Sequence, residues 1–245
     1  MKTSSQIFLG LLLLILSAIF YIIHYLIFRD LHHIVVYLIG DIAFVFIEVL
    51  LVTLIIHKLL SEKETRVKLE KLNMVIGVFF SEVGTHLLVT LSNADPNLNK
   101  IKKDLVVTSN WSEQEFKNIK NSLKQYHYSV VIKQINLDDL RSHLIEKRDF
   151  LLRMLENPIL LEHESFTELL QAVFHVTEEL QFRGDLGNLP LSDYNHLEGD
   201  IKRAYGQLVY QWIDYIEHLK SNYPYLFSLA IRTNPFDEES SPIVR

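Results

Sequence analysis

The sequence predicts an all-α membrane protein: a two-helix transmembrane hairpin, then a juxtamembrane stalk helix and a cytosolic helical bundle. Three observations carry this prediction. Hydrophobicity is concentrated in two N-terminal runs, Gln6 to Phe28 and Ile34 to Ile56; apolar residues beyond them recur at spacings of three and four; and that region is punctuated by Ser and Asn caps and Asn-Pro stops. The expected divisions are a hairpin over 1–57 (spans about 6–28 and 34–56), a stalk over 58–92, a cytosolic domain over 93–235 and an acidic, disordered tail over 236–245.

The second span, IVVYLIGDIAFVFIEVLLVTLII, organises the rest. At about 1.5 Å per residue it reaches roughly 34 Å, enough for a hydrocarbon core of about 30 Å. It also carries Asp41 and Glu48. A central Asp costs about +2.5 to +3.5 kcal/mol on an insertion scale, against about −0.3 to −0.6 gained per large apolar residue. The two acids therefore offset most of the gain, and the span needs a partner. They sit two turns apart on one helix face, which should point away from lipid.

The first run, QIFLGLLLLILSAIFYIIHYLIF, is longer than a signal-peptide core and has no small-residue cleavage site, so it reads as an uncleaved span. RDLHH, Arg29 to His33, is too short to leave the membrane surface, which makes the pair an antiparallel hairpin. Lys58, Lys63, Arg66, Lys68 and Lys71 all follow the second span. The positive-inside rule then puts both termini in the cytoplasm of a multi-pass cell (inner) membrane protein and the turn outside. Registering the hairpin at its turn brings Ser17, Tyr21, His24, Tyr37 and Asp41 into one polar seam. Glu48 falls opposite Leu14 and is left to another protomer, to water or to its protonated form. The seam can lock two helices by hydrogen bonds worth about 0.6 kcal/mol each on average, or it can form a proton or cation path.

After His57 the chain becomes charged and then amphipathic, with Leu69, Leu72, Ile76, Phe79, Val83 and Leu87 forming a seam of coiled-coil type, which reads as a rigid stalk that also supports self-association. Gly77 and Gly84 interrupt it and allow close helix approach. Asp95-Pro96 marks a turn. Ser112 with Glu115, Asn136, and Ser165 with Glu168 mark helix starts, and a long helix follows Ser192 and ends at Pro224. A last short helix runs from Tyr225 to about Arg232. Tyr128 to Ile135 is β-branched, but with no second strand to pair with it reads as helix or extended linker.

Composition narrows the function classes. The absence of cysteine removes disulfides, thiolate zinc sites, iron–sulfur clusters and a cysteine nucleophile. A net charge of −6 without an extended basic patch argues against nucleic acid as a partner. No phosphate loop, dinucleotide fingerprint, nucleophile elbow or calcium loop is present. His163-Glu164 begins a zincin motif, but Thr167 stands where its second histidine would be. No catalytic residue and no cofactor is indicated. The 11 histidines often have an acid three or four residues away, which is how helical bundles present imidazole and carboxylate to metals. The paired Glu-x-x-His pattern of di-iron bundles is missing, and the pairing is close to what acid density alone gives. The best four metal candidates are His175, Glu179, His196 and Asp200. The aromatic run from Tyr205 through Tyr210, Trp212, Tyr215 and Tyr223 to Phe227 reads as packing.

The stretches DIAFVFIEVLLVTLIIHKLL, LEKLNMVIGVFFSEVGTHLL and FLLRMLENPILLEHESFTELLQAVFHVTEEL resemble a family of prokaryotic membrane proteins with two spans and a helical cytosolic part. The resemblance covers nearly the whole chain and implies topology alone, with no activity, cofactor or functional residue. The leading expectation is a non-enzymatic homo-oligomer in the lipid bilayer whose cytosolic domain senses a ligand or binds a protein partner. Its rivals are an ion-conducting or membrane-permeabilising assembly lined by Asp41 and Glu48, and a metal-dependent helical-bundle enzyme.

Overall fold

A computed structural model describes residues 2–161 and 163–244, with side chains over 7–160 and 163–244. Met1 and Arg245, the outermost residues of the expected hairpin and tail, and the Lys2 side chain lie outside the described residues. The chain is all-α, with no strand among the described residues: α1 (Lys2–Phe28), α2 (Leu31–Phe79), α3 (Thr85–Asn93), α4 (Lys102–Leu105), α5 (Glu113–Gln125), α6 (Leu137–Glu146), α7 (Arg148–Leu155), α8 (Pro158–Leu161), α9 (Glu164–Gln181), α10 (Leu191–Asn222) and α11 (Pro224–Arg232). It divides into two compact units, Met1–Arg66 and Val67–Arg245.

In the first unit α1 and α2 are joined by Arg29 and Asp30 alone. Asp30 caps α2, its Oδ1 accepting from the His33 amide at 3.3 Å, so the helix starts at Leu31 and His33 lies inside it. Arg29 is the one non-glycine residue with positive φ among those described, at 50°, and its amide donates to the Tyr25 carbonyl at 2.8 Å. This left-handed residue closes the helix end as glycine commonly does. Both helices are long and apolar enough to cross a membrane: Ile7–Phe28 has mean hydropathy 2.6, Leu31–Asn93 has 2.5 in its best window, and neither window is buried.

The second unit is built the opposite way, around a continuous core. α10 is its axis, packed against α9, α3, α5 and α11, while α6, α7 and α8 pack on α9. Helical spacing explains α10: Leu197, Ile201, Ala204, Leu208, Trp212 and Ile216 fall on successive turns of one face, and all are buried. The seam expected from Leu69 to Leu87 is consumed here, because Leu72, Ile76, Phe79, Val83 and Leu87 are buried in the domain's own core and Leu69 is exposed. Between α2 and α3 the helix widens into a π turn, Phe80–Gly84. Phe79 and Phe80 are both buried there, with Phe79 edge-on to Phe166 at 5.3 Å and Phe80 stacked on Tyr215 at 5.4 Å. Each such ring contributes about 1.5–3 kcal/mol by leaving water.

The local signals explain most boundaries. Ser112 and Glu115 form a reciprocal capping box on α5, and Asn136 caps α6 through the Asp139 amide at 3.2 Å. Two starts differ from the sequence reading. α9 is capped by His163, whose Nδ1 accepts from the Phe166 amide at 3.3 Å, and Ser165 lies one residue inside the helix, where its Oγ accepts from Gln211 at 2.8 Å. α10 begins at Leu191 after Pro190, with no side-chain cap. Tyr128 to Ile135 is extended around one 3-10 turn, Ile132–Gln134, and is tied down by the Val131 amide on the Ala94 carbonyl at 2.8 Å. Packing continues past α11: Phe236 is buried, and the buried Asn234 donates to the Leu105 carbonyl at 3.0 Å.

Candidate metal centre

Two polar clusters stand out, one in each unit. In the first unit a cleft of about 700 Å³ opens between α1 and α2, lined by Ser17, Tyr21, His24, His33, Tyr37 and Asp41 among others. Five of these are the residues of the expected seam. His33, which the sequence places in the RDLHH turn, joins because Asp30 caps the helix at Leu31. Its ring lies 6.0 Å from that of His24 and 4.6 Å from that of Tyr37. His24 Nδ1 is buried without a hydrogen-bond partner. Glu48 is outside the cleft and exposed.

The second cluster is built by α9 and α10. His175 and Glu179 are four residues apart on α9, and His196 and Asp200 are four apart on α10, so each helix presents one imidazole and one carboxylate on one face. These two helices make the most extensive contact in the domain, which brings the pairs together. One donor atom from each of the four lies within 4.8 Å of the others. Asp200 Oδ2 is 3.3 Å from His175 Nε2 and 3.3 Å from His196 Nε2. Glu179 Oε2 is 3.5 Å from His196 Nε2, and its Oε1 is 3.8 Å from His175 Nε2. The Asp200 side chain is 6% exposed, while the imidazoles are 44% and 52% exposed. The cluster is thus closed below and open above.

Arginines fix the carboxylates from outside. Arg183 Nη1 donates to Glu179 Oε2 at 2.5 Å, and its Nε and Nη2 donate to the two Asp193 oxygens at 2.7 and 2.6 Å. The Arg183 hydrogen bond holds the Glu179 carboxyl below the usual range against the opposing effect of burial, and it lowers Asp193 likewise. Arg203 Nη1 lies 3.4 Å from Asp200 Oδ1. Chemically, the four donors offer two nitrogens and at least two oxygens to one point, and Glu179 is kept ionised.

Other polar groups were not legible in the sequence. Asp95, read only as a turn residue, is buried and accepts from Tyr126 Oη at 2.7 Å. Tyr128 and Tyr205 stack edge-on beside it with centroids 5.4 Å apart, and Tyr205 Oη has no hydrogen-bond partner. Burial first, then Asp95, raises the pKa of all three tyrosines. His86 and His143 face each other at 4.0 Å between centroids, with His143 Nε2 buried and unpartnered.

Fold and site together define a two-part all-helical protein, with an apolar N-terminal helix pair and a packed C-terminal helical domain bearing an imidazole–carboxylate cluster. The chain belongs to the family of the uncharacterized protein MJ1433. Residues 1–60 match the N-terminal helical domain of that family and residues 68–232 its C-terminal helical domain. The MJ1433 protein of Methanocaldococcus jannaschii is 47% identical over 235 residues, covering 96% of this chain and 94% of its own. No solved structure matches the chain. The two matched domains flank the division between Arg66 and Val67 found from packing.

Proposed function

We propose that the protein is a membrane-tethered binding protein without enzymatic activity. In this reading α1 and α2 cross the cell membrane as an antiparallel hairpin, both termini are cytoplasmic, and the C-terminal domain binds a ligand or a protein partner. One observation carries it: the most apolar windows of both helices bury nothing within the chain. A helix that is apolar all round needs an apolar surrounding, and the core of its own protein does not supply one here. The 22 residues of Ile7–Phe28 reach about 33 Å, matching a bilayer core of about 30 Å. Self-association follows from Glu48, which is exposed and has no partner among the described residues. A second copy of the hairpin would shield it from lipid.

Membranes from cells making the full chain, washed with alkaline carbonate, test the reading. The protein is expected in the pellet, a reporter fused after residue 245 is expected to be active only inside the cell, and light scattering in mild detergent is expected to give more than one chain per particle. Release by carbonate or an external reporter would overturn the tether, and a strict monomer would overturn self-association.

A further inference from the structure

We propose that His175, Glu179, His196 and Asp200 form a four-coordinate site for a divalent transition-metal ion of the zinc class, held between α9 and α10. The inference rests on the reading of the C-terminal domain as the binding part of the protein and names its ligand. It does not depend on the membrane tether.

The first argument is geometric. Bonds of about 2.0–2.1 Å to nitrogen and oxygen in a tetrahedron set neighbouring donors about 3.3–3.4 Å apart. The separations from Asp200 Oδ2 to the two imidazoles, 3.3 and 3.3 Å, and from Glu179 Oε2 to His196, 3.5 Å, already have that size; the 3.8 Å approach to His175 is made by the other Glu179 oxygen, and one donor from each residue lies within 4.8 Å of the rest. The terminal torsion of Glu179 is soft, so a small turn of its carboxylate, with Arg183 following, adjusts the approach to His175.

The second argument is independent of the cluster's composition. Asp200 Oδ2 is buried, aimed between two imidazole nitrogens, and makes no hydrogen bond to either of them or to anything else. A buried carboxylate oxygen that accepts no hydrogen bond costs free energy that folded chains rarely leave uncompensated. A cation at the centre of the cluster satisfies Oδ2 directly, while Arg203 approaches only the other oxygen, Oδ1.

Donor chemistry then selects the ion. Two imidazoles suit zinc and its first-row neighbours and discriminate against magnesium and calcium, which take oxygen ligands. Arg183, clamped to Asp193, donates to Glu179 Oε2, the oxygen that faces His196, and orients the carboxylate as the outer partners of metal ligands do. The half-exposed imidazoles leave an entry path on the solvent side. The alternative is a metal-free cluster in which protonated imidazoles pair with the acids, and it predicts no binding of any ion.

The full chain in detergent, stripped with a chelator and dialysed against zinc chloride, is assayed by elemental analysis and thermal unfolding, with cobalt(II) as a spectroscopic probe. One zinc per chain, a zinc-dependent rise in Tm and the intense visible bands of tetrahedral cobalt are expected, with no such response to magnesium. His196→Gln, at the more exposed imidazole, keeps the helical circular dichroism and is expected to weaken zinc binding at least ~10-fold. The double change His175→Gln and His196→Gln should abolish it. Zinc retained equally by the double variant, or none bound by the folded wild type, overturns the site. A folded chain that binds no zinc yet stays in carbonate-washed membranes leaves the tether standing. Stoichiometric zinc on a protein released by carbonate overturns the tether and leaves the site.

Discussion

The two units are both helical and both rich in leucine, isoleucine, valine and phenylalanine, yet they dispose of those residues in opposite ways. In the first unit Phe44, Phe46 and Ile47 are 57%, 75% and 53% exposed; in the second Phe79, Phe116 and Phe166 are at most 1% exposed. The difference lies in periodicity. Apolar residues on every side of α1 and early α2 cannot all face one partner helix, whereas a stripe at spacings of three and four can be covered completely by its neighbours. Helix propensity is therefore shared, and the way each unit disposes of its apolar side chains within the chain is not.

That comparison can be broken by measurement. The largest expected effect is Phe166→Ala, which removes a fully buried ring packed on Phe79 and should lower the stability of the second unit by about 3–5 kcal/mol. Phe46→Ala, at an exposed position, should change that unfolding transition by less than about 0.5 kcal/mol. Chemical denaturation of the full chain in detergent, followed by tryptophan fluorescence, reads both, since Trp111 and Trp212 lie in the second unit. Equal effects would erase the distinction.

A smaller effect is expected at Gly84. A Cβ there would sit 2.6 Å from Phe80 Cδ1 and 2.8 Å from Phe79 Cε1, and both rings are locked in the core. Gly84→Ala should cost about 1–3 kcal/mol by overpacking, whereas Gly40→Ala, with nothing within 4 Å, should not alter the same transition.

The gentlest probe is pH. Burial first, and then the neighbouring His86, lowers the His143 pKa from its ordinary value near 6.5; burial lowers His218 as well. Lys147 pushes His143 the same way and Glu146 opposes, while Glu70 opposes for His218. With the folded pKa below the unfolded one, the unfolded chain takes up protons first as pH falls. These groups' contribution is therefore complete above the unfolded pKa and is lost as pH drops through 6.5 toward the lowered folded values. His143→Gln should flatten the fall in stability between about pH 7 and pH 5 without reversing it. An unchanged slope would show that His143 does not contribute.

Much of this was readable from local sequence because local chemistry decides it. The Ser112–Glu115 box and the Asn136 cap involve residues three apart, so no tertiary knowledge was needed. The four donors of α9 and α10 were legible as two pairs at i, i+4, but their convergence depends on the register of two helices, which no spacing within one helix encodes. The His163 cap is not legible in sequence because serine two residues later has the stronger capping propensity. The Asp95–Tyr126 contact escaped because its partners are 31 residues apart, and the Arg183 clamp on Asp193 because it spans a loop. The seam from Leu72 to Leu87 has the right residues, and the expected use in self-association differs from their burial in the domain's own core because spacing identifies an apolar face without saying whether it meets its own domain or a second chain.

The π turn at Phe80–Gly84 bears on how this chain tolerates changes of length. Each residue of an α-helix advances about 100° around the axis, and a π turn accommodates one residue more than an α turn. It thus works as a phase adjuster, letting Leu72 and Ile76 upstream and Leu87 and Leu91 downstream all point inward. Deleting one residue inside that turn would tighten it to ordinary pitch and swing one of two neighbouring phenyl rings outward, a local injury. Deleting one between Leu72 and Phe79 would rotate the upstream stripe off the core, so insertions and deletions in this helix are not equivalent even a single turn apart.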